Sequence, residues 1–217
     1  MESNLITLRD PRSPAAEAYR ALRMNLAFTS LDQALSMFVV SFPAAADMES
    51  DVAANVAVVM AQAGQTVTLV DADLRRPRLH TLFDLAQEPG ITTVLLSQAA
   101  GMELPIASTE VPGLSLLPSG ALPPNPADIL GSNRMRRLLE QLRELSDIVI
   151  LQAPPVTVAV DASVLAVQTD GLLLAVRAGH TRRDRIDQAK EILERYRVRL
   201  LGAVMIDAPD RGLLTGY

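Results

Sequence analysis

Short apolar runs alternate along this chain with longer stretches whose apolar residues recur every three or four positions. The short aliphatic runs predict buried β-strands, and the three-to-four spacing predicts amphipathic helices. The predicted strands are 36–41, 66–70, 114–117, 147–151, 172–176 and 200–206. The predicted helices are 14–28, 50–62, 132–145, 161–168 and 181–196, with a basic loop and short helix over 74–84 and a short helix over 91–98. Residues 1–13 are predicted to form an extended polar arm.

This order of elements predicts a doubly wound α/β fold. Strands that alternate with helices and are apolar throughout are typical of a mainly parallel sheet with helices on both faces. No composition change marks a linker, so residues 1–217 are predicted to form one domain, in which 1–35 supply the arm and the first helix. Parallel sheets of this type bind ligands at the carboxyl ends of their strands. The expected site therefore lies along the segments 41–46, 71–73, 117–120, 152–155 and 207–209.

The composition excludes several classes of function. With 49% hydrophobic and 3% aromatic residues the chain can bury an aliphatic core, while a net charge of −5 disfavours a general nucleic-acid binder. The absence of cysteine excludes disulfides and thiolate chemistry, and two histidines make a His-based metal site unexpected. No apolar run approaches the ~20 residues of a membrane span, and the N-terminus does not resemble a signal peptide. The sequence predicts a cytoplasmic protein that reaches the inner membrane face only through a partner.

The segment 43–51 (PAAADMESD) lies where a phosphate-binding loop would connect the first strand to the next helix. Such a loop reads G-x-x-x-x-G-K-[ST], in which glycines let backbone N–H groups wrap the phosphates and the lysine reaches the outer phosphates. Here Ala46 and Met48 replace glycines, and Glu49 replaces the lysine. The chain's one lysine, Lys190, lies far downstream. The scaffold of a nucleotide site is present without its phosphate clamp.

These replacements turn an anion site into one that repels anions. ATP carries roughly three to four negative charges, which lysine, magnesium and aligned N–H groups normally offset. A Glu49 carboxylate about 4 Å from a phosphate oxygen would repel it by roughly 4 kcal/mol at an effective dielectric constant of about 20. An energy of this size corresponds to an affinity for ATP that is about a thousandfold lower. Asp47 and Asp51 add to the repulsion. The sequence therefore predicts that ATP does not bind here in the usual manner.

Three further segments together resemble one family of enzymes. They are EAYRALRMNL (17–26), VDADLRRPRLHTLFDL (70–85) and DIVILQAPPV (147–156). In this order they resemble the bacterial tyrosine kinases of capsule and exopolysaccharide export, which are cytoplasmic P-loop proteins related to the MinD and ParA ATPases. The resemblance covers nearly the whole chain. It implies a P-loop NTPase-like fold and, for an active member, phosphate transfer from ATP to tyrosine with magnesium.

The resemblance assigns roles to the residues of the predicted site. It places the Walker A loop at 45–51 and the Walker B acid at Gln152, which has no charge to hold magnesium. The family's aspartates at Asp71 and Asp73 serve magnesium and hydroxyl activation, so these two are remnant candidates for catalysis. Ser50 keeps the magnesium-binding hydroxyl and is, with the two aspartates, a candidate metal ligand. The degenerate nucleotide site comprises Ala45, Ala46, Asp47, Met48, Glu49, Ser50, Asp51 and Gln152.

The resemblance also assigns an assembly role to the first helix. Glu17, Arg20 and Arg23 match an E-x-x-R-x-x-R segment through which subunits of the family form rings, so a homo-oligomer is implied. Their spacing puts them on one helix face, where intrahelical salt bridges are the alternative. The family's C-terminal tyrosine cluster is reduced to Tyr217, which is either a phospho-acceptor or part of a disordered end.

Several charged groups keep two interpretations. The acids of 47–51 could hold a cation together with Asp71 and Asp73, or could form the solvated start of a helix, where acids are favourable. Asp71 and Asp73 could be remnants of catalysis or strand-end acids kept for structure. The arginines of 75–78 could bind phosphate or an acidic partner, or could pair with the acids of 84–88.

Three functions remain in competition. The sequence favours a catalytically degenerate family member that serves as a regulatory or assembly subunit in exopolysaccharide or capsule biosynthesis and export, with no ATP or magnesium cofactor. Its expected partners are copies of itself and a membrane polysaccharide chain-length (co-polymerase) protein or an active kinase homologue, not nucleic acid. The alternative is a divergent ATP-dependent tyrosine kinase that phosphorylates its own Tyr217, with an arginine in place of the lysine. The third is a MinD/ParA-like positioning protein that dimerises without nucleotide.

Overall fold

The computed structural model describes residues 5–28, 34–45, 51–97 and 103–208. The strands in these ranges are β1 Met37–Ser41, β2 Val67–Asp71, β3 Ala107–Ser108, β4 Leu114–Leu117, β5 Ile148–Gln152, β6 Leu172–Arg177 and β7 Leu200–Ile206. They form one sheet in the order β3-β4-β2-β5-β1-β6-β7. Neighbouring strands are parallel except β3 and β4, which are antiparallel. The predicted mainly parallel sheet is confirmed.

Helices cover both faces of this sheet. Those in the described ranges are α1 Ile6–Arg9, α2 Pro14–Phe28, α3 Val52–Gln62, α4 Leu79–Leu82, α5 Ile91–Leu96, α6 Pro126–Leu130, α7 Asn133–Leu145, α8 Asp161–Ala166 and α9 Arg183–Arg195. Helices α2, α3 and α4 pack in a core with Phe38 and Val40 of β1, whereas α5 to α9 pack in a second core with Met37 and Val39. Successive residues of one strand thus enter opposite cores, as the two-residue period of a strand requires.

The central elements form where the apolar pattern predicts them. Every residue of β1, β2 and β5 is buried, because both faces of a parallel sheet are covered. Helix α3 is buried from Val52 to Ala61, and its sequence is apolar all round, as a buried helix needs. Helix α7 begins after Ser132, whose hydroxyl accepts a hydrogen bond from the Met135 N–H at 3.2 Å. No helix within the described ranges is both long enough and apolar enough to cross a membrane.

The structure corrects the prediction in three places. The arm is not extended over its whole length: Leu5 is fully buried and Ile6–Arg9 forms α1. Leu5 joins the core beside α3 and so holds this segment against the rest of the protein. Backbone N–H and C=O groups that are sheltered from water need hydrogen-bond partners, and a short helix supplies them. Strand β3 was not predicted because two residues carry no periodic pattern. Helix α6 was not predicted, although its Pro126 suits a first helical turn.

Candidate functional site

The carboxyl ends of the three central strands meet at one edge of the sheet. Gln152, the last residue of β5, lies in register with Val40 of β1 on one side and Asp71 of β2 on the other. The chain leaves β1 through a loop and enters α3 at Val52. The predicted site residues Ala46, Asp47, Met48, Glu49 and Ser50, and also Tyr217, lie outside the described residues. Asp51, Asp71, Asp73 and Gln152 can be placed, and all belong to this edge.

The Asp71 carboxylate is fully buried and fixes the turn that leaves β2. Its Oδ2 accepts hydrogen bonds from the Arg78 N–H at 3.0 Å and the Leu79 N–H at 2.8 Å. Its Oδ1 is buried with no hydrogen-bond partner among the described residues. Burial raises the pKa of Asp71 to about 7, and the two N–H groups offset only part of that rise. This carboxyl group is therefore structural through one oxygen and unsatisfied at the other.

Asp73 repeats this arrangement two residues later. Its Oδ1 accepts hydrogen bonds from the Arg75 N–H at 3.1 Å and the Arg76 N–H at 2.9 Å, which closes a side-chain-capped turn. Its Oδ2 is buried and, within the described ranges, has no partner. Burial raises the pKa of this carboxyl as well. Both aspartates thus hold the loop in place, which agrees with the interpretation that these strand-end acids are kept for structure. Each also has one buried oxygen with no partner among the described residues.

The arginines of the loop after β2 pair with carboxylates other than those expected. Arg75 forms a two-pronged ion pair with Asp161, with Nε–Oδ2 at 2.8 Å and Nη2–Oδ1 at 3.0 Å. Asp161 is fully buried at the start of α8. Arg78 Nη2 lies 2.7 Å from Asp51 Oδ1. These two pairs were not predicted from the sequence, because they form only when the loop turns back across the sheet edge toward α3 and α8.

Asp51 stands at the cap position of α3 but does not cap the helix with its side chain. Its carboxylate instead binds Arg78, and its backbone oxygen accepts hydrogen bonds from the N–H and side-chain Nδ2 of Asn55, both at 2.9 Å. Burial raises the pKa of Asp51, while the Arg78 charge lowers it in part. The predicted acidic helix start is present, but at this acid it is an ion pair rather than a solvated cap.

Comparison with proteins of known sequence identifies the family. The chain is 38% identical over 205 residues, covering 94% of its own length and 86% of the relative, to the tyrosine-protein kinase YwqD of Bacillus subtilis (strain 168). The chain belongs to the bacterial tyrosine kinase family. It is also 32% identical to the tyrosine-protein kinase ptk of Acinetobacter johnsonii, of which it covers 28% while 94% of this chain is matched. No family model matches the chain.

Solved structures of the family share the fold. The chimerical protein CapA2B2 matches with a TM-score of 0.88 and 33% identity, over 95% of this chain and 90% of that chain. The kinase domain of the Escherichia coli tyrosine kinase ETK matches with a TM-score of 0.87 and 29% identity, over 97% and 84%. Cobyrinic acid a,c-diamide synthase from Mycobacterium smegmatis, at 18% identity and a TM-score of 0.64, covers 79% and 72% and shows the fold alone. The predicted P-loop NTPase-like fold is confirmed.

Within this family member, helix α2 holds an intrahelical pair. Arg20 Nη1 lies 2.8 Å from Glu17 Oε2, and both side chains are exposed. Arg20 Nη2 also donates to the Pro11 backbone oxygen at 2.5 Å, which ties α2 to the arm. Both the salt-bridge alternative and an outward-facing charged surface are therefore compatible with the geometry. The assembly role of Glu17, Arg20 and Arg23 stays a prediction.

Sequence reasoning missed several residues around this edge. Tyr19 of α2 is half-buried, and burial together with the Asp51 and Asp207 carboxylates raises the pKa of its phenol well above the usual range. Asn55 could have been found from the sequence, because it is the one polar residue in the apolar run 52–61 of α3. Nothing in the sequence around Asp161 indicates that it pairs with an arginine. In the described ranges, no three His, Cys, Asp or Glu side chains converge to hold a metal ion.

Proposed function

We propose that this chain is a non-catalytic member of the bacterial tyrosine kinase family that acts as an assembly or regulatory subunit in exopolysaccharide or capsule biosynthesis and export. Family membership and fold supply the frame of the proposal. The replacements at Glu49 and Gln152 supply its central claim, since both the lysine and the acid of nucleotide binding are absent from the sequence.

The observation that carries the proposal is the position of the only lysine. Lys190 lies on α9, where its Nζ is 3.6 Å from Glu194 Oε1. Helix α9 packs in the core on one face of the sheet, whereas α3, which follows the degenerate loop, packs in the core on the opposite face. A sheet therefore separates this ammonium group from the helix at whose N-terminus a phosphate would bind. No lysine of the same chain can replace the missing one.

The arginines at the edge do not readily take over the role of the lysine. Arg75 and Arg78 each hold a carboxylate, Asp161 and Asp51 respectively, at 2.7 to 3.0 Å. Turning either guanidinium toward a phosphate would leave a sheltered carboxylate without this partner, which is unfavourable. This cost supports the absence of phosphate binding.

The acids of the site fit a cation better than they fit a nucleotide. The buried free oxygens of Asp71 and Asp73 are suited to magnesium, but Gln152 supplies no charge at the third position. A carboxyl group with a pKa of about 7 is half protonated at neutral pH and binds a cation weakly until it loses its proton. The residues present thus do not fit a magnesium nucleotide.

In this proposal the function lies in assembly. The expected partners are copies of the chain and a membrane polysaccharide co-polymerase protein or an active kinase homologue, by analogy with the family. The charged surface of α2, with Glu17 and Arg20 exposed, is the expected contact between copies.

The test is a calorimetric titration of the full chain with ATP and magnesium. A matched variant combines Ala46→Gly, Met48→Gly, Glu49→Lys and Gln152→Asp, which rebuilds the phosphate clamp and the acid. We expect no heat of binding for the natural chain at millimolar nucleotide and measurable binding for the rebuilt variant. Thermal unfolding provides a second measurement, because nucleotide at 100 times its dissociation constant adds about 2.7 kcal/mol of stability. Magnesium-dependent binding by the natural chain at micromolar nucleotide would refute the proposal.

A divergent kinase is the second candidate, and one observation favours it. Asp71 and Asp73 each keep a buried oxygen without a partner in the described residues, as a remnant of magnesium binding would. This candidate predicts transfer of phosphate from ATP to Tyr217 that disappears in Asp71→Asn. Mass spectrometry of the natural chain and of the Asp71→Asn variant, each incubated with magnesium and ATP, decides between the two candidates. Phosphate on Tyr217 of the natural chain but not of the variant favours the divergent kinase.

A further inference from the structure

An unbroken series of hydrogen bonds joins the candidate site to the N-terminal arm. The Arg78 N–H donates to Asp71 Oδ2 at 3.0 Å, and the Arg78 guanidinium donates to Asp51 Oδ1 at 2.7 Å. The Asp51 backbone oxygen accepts from Asn55 Nδ2 at 2.9 Å. Asn55 Oδ1 in turn accepts from the Thr7 N–H at 3.1 Å and the Thr7 hydroxyl at 2.8 Å. Five residues thus connect the end of β2, the start of α3 and helix α1.

These groups are sheltered from water. Asp71, Thr7 and Asn55 are 0%, 1% and 4% exposed, and the side chains of Arg78 and Asp51 are 29% and 21% exposed. Hydrogen bonds and ion pairs with little solvent contact are less screened by water than surface pairs. Removing one partner leaves a sheltered polar group unsatisfied, which is costly. The series therefore restrains the relative positions of its members more than an exposed salt bridge does.

The restraint extends to the helix that carries the assembly segment. Arg20 of α2 donates to the Pro11 oxygen, which lies just after α1, and the Ser13 hydroxyl accepts from the Ala16 N–H at 3.2 Å. Leu5, at the start of α1, is buried in the same core as Leu26 of α2. The arm is thus attached to α3 on one side and to α2 on the other.

We infer that Arg78 is a positioning residue that braces the site in the absence of a ligand. In nucleotide-binding P-loop proteins, the phosphates and their metal ion bridge the helix N-terminus and the strand-end acids. Here the backbone of Arg78 holds Asp71 of β2 and its guanidinium holds Asp51 at the start of α3. One arginine spans the gap that a nucleotide would otherwise span. The inference rests on the proposed function, because a bound nucleotide would make the brace unnecessary.

The consequence is that α1 and α2 keep their positions without nucleotide. A family member that assembles without ATP needs such a fixed position, because no nucleotide would link the end of β2 to the start of α3. The brace therefore replaces a nucleotide-dependent change at this site with one fixed arrangement of α1, α2 and α3.

The test is hydrogen–deuterium exchange of the full chain, read by mass spectrometry at the arm. The variants are Arg78→Gln, Asp51→Asn and both together. The control is Arg182→Gln, which removes an exposed ion pair of 2.9 Å with Asp184 at the start of α9, a helix that packs in the core on the opposite face of the sheet from α3. We expect the amides of residues 7–10 to exchange about tenfold faster in either single variant. The double variant should exchange no faster than the faster single variant, and the control should match the natural chain.

Two results would overturn the inference: unchanged arm exchange in both single variants, or rates in the double variant that multiply as for independent sites. Circular dichroism must show that each variant is folded. Should Arg78→Gln not fold, Arg78→Lys keeps the charge without the planar fork, and it must still accelerate exchange at the arm. All these measurements are made without nucleotide. Their failure is thus separate from failure of the proposed function, which the ATP titration of the natural chain decides.

Discussion

Replacing Asp71 by asparagine should remove a pH dependence from the stability of the protein. Burial raises the pKa of this carboxyl group from 3.8 to about 7. In the folded protein the group therefore holds its proton at pH values where the unfolded chain has released it. The free energy of unfolding must fall as the pH rises between these two pKa values and must level off above the higher one. Asparagine cannot lose a proton, so Asp71→Asn lacks this contribution.

The size of the effect follows from the two pKa values. A difference of about three units, at about 1.4 kcal/mol per unit, gives a loss of at most about 4 kcal/mol between pH 4 and pH 8. Asparagine can keep both hydrogen bonds, because its Oδ1 can accept from the Arg78 and Leu79 N–H groups as Asp71 Oδ2 does. For a chain of this size, each kcal/mol changes Tm by about 2 to 4 °C.

The assay is urea unfolding of the natural chain and of Asp71→Asn, followed by circular dichroism at a series of pH values from 4.5 to 8. The variant should gain stability relative to the natural chain as the pH rises, by about 3 kcal/mol over the series. Any constant cost of the new amide group cancels in this comparison. A stability difference that does not change with pH would refute the reasoning, since it would mean that Asp71 ionises in the fold as it does in the unfolded chain.

Three further predictions concern other parts of the fold. Burial alone would raise the pKa of Asp170, but N–H groups at the start of β1 and the Arg143 guanidinium hold that pKa below its usual range. Asp170→Asn should therefore lower the free energy of unfolding by roughly 1–3 kcal/mol at pH 7, measured by urea unfolding, and by less as the pH falls. A cost that grows toward low pH would contradict this. Gly90→Ala should cost about 2 kcal/mol or more, because the new Cβ would lie 2.3 Å from the Pro118 oxygen; an unchanged Tm would show that the loop adapts freely. Asn55→Leu should lower stability by roughly 2 kcal/mol, because two donors of the first turn of α1 lose their acceptor; an effect no larger than that of an exposed Asn25→Leu would argue against it.

Much of the fold could be predicted because its elements are long and strongly patterned. A continuous apolar run such as 147–151 has one stable place, a strand covered on both faces, and the structure puts β5 at Ile148–Gln152. Helix α9 likewise begins and ends within two residues of its predicted bounds. The elements that were missed are those whose cause lies elsewhere in the chain. Helix α1 owes its position to the buried Leu5 and to a hydrogen bond with Asn55, 48 residues away.

The candidate site divides in the same way. The sequence placed Asp71, Asp73 and Gln152 at strand ends, and the parallel order of the sheet puts those ends at one edge. It did not predict the ion pairs at that edge. The sequence separations of these pairs are 27 residues for Arg78 with Asp51 and 86 for Arg75 with Asp161. Nearby acids on the chain offered equally reasonable partners, and only the path of the loop brings the distant carboxylates to these arginines.

The sequence by itself determined the alternation of strands and helices, the family, and the loss of the lysine at Glu49 and of the acid at Gln152. These are properties of residue identity and spacing, which need no knowledge of distant contacts. Only the tertiary structure decided that Lys190 lies across the sheet from α3, that Arg78 binds Asp51, and that burial holds the pKa of Asp71 near 7. The physical reason is that burial and charge pairing depend on groups brought together from remote parts of the chain, and those groups set the electrostatics of the site.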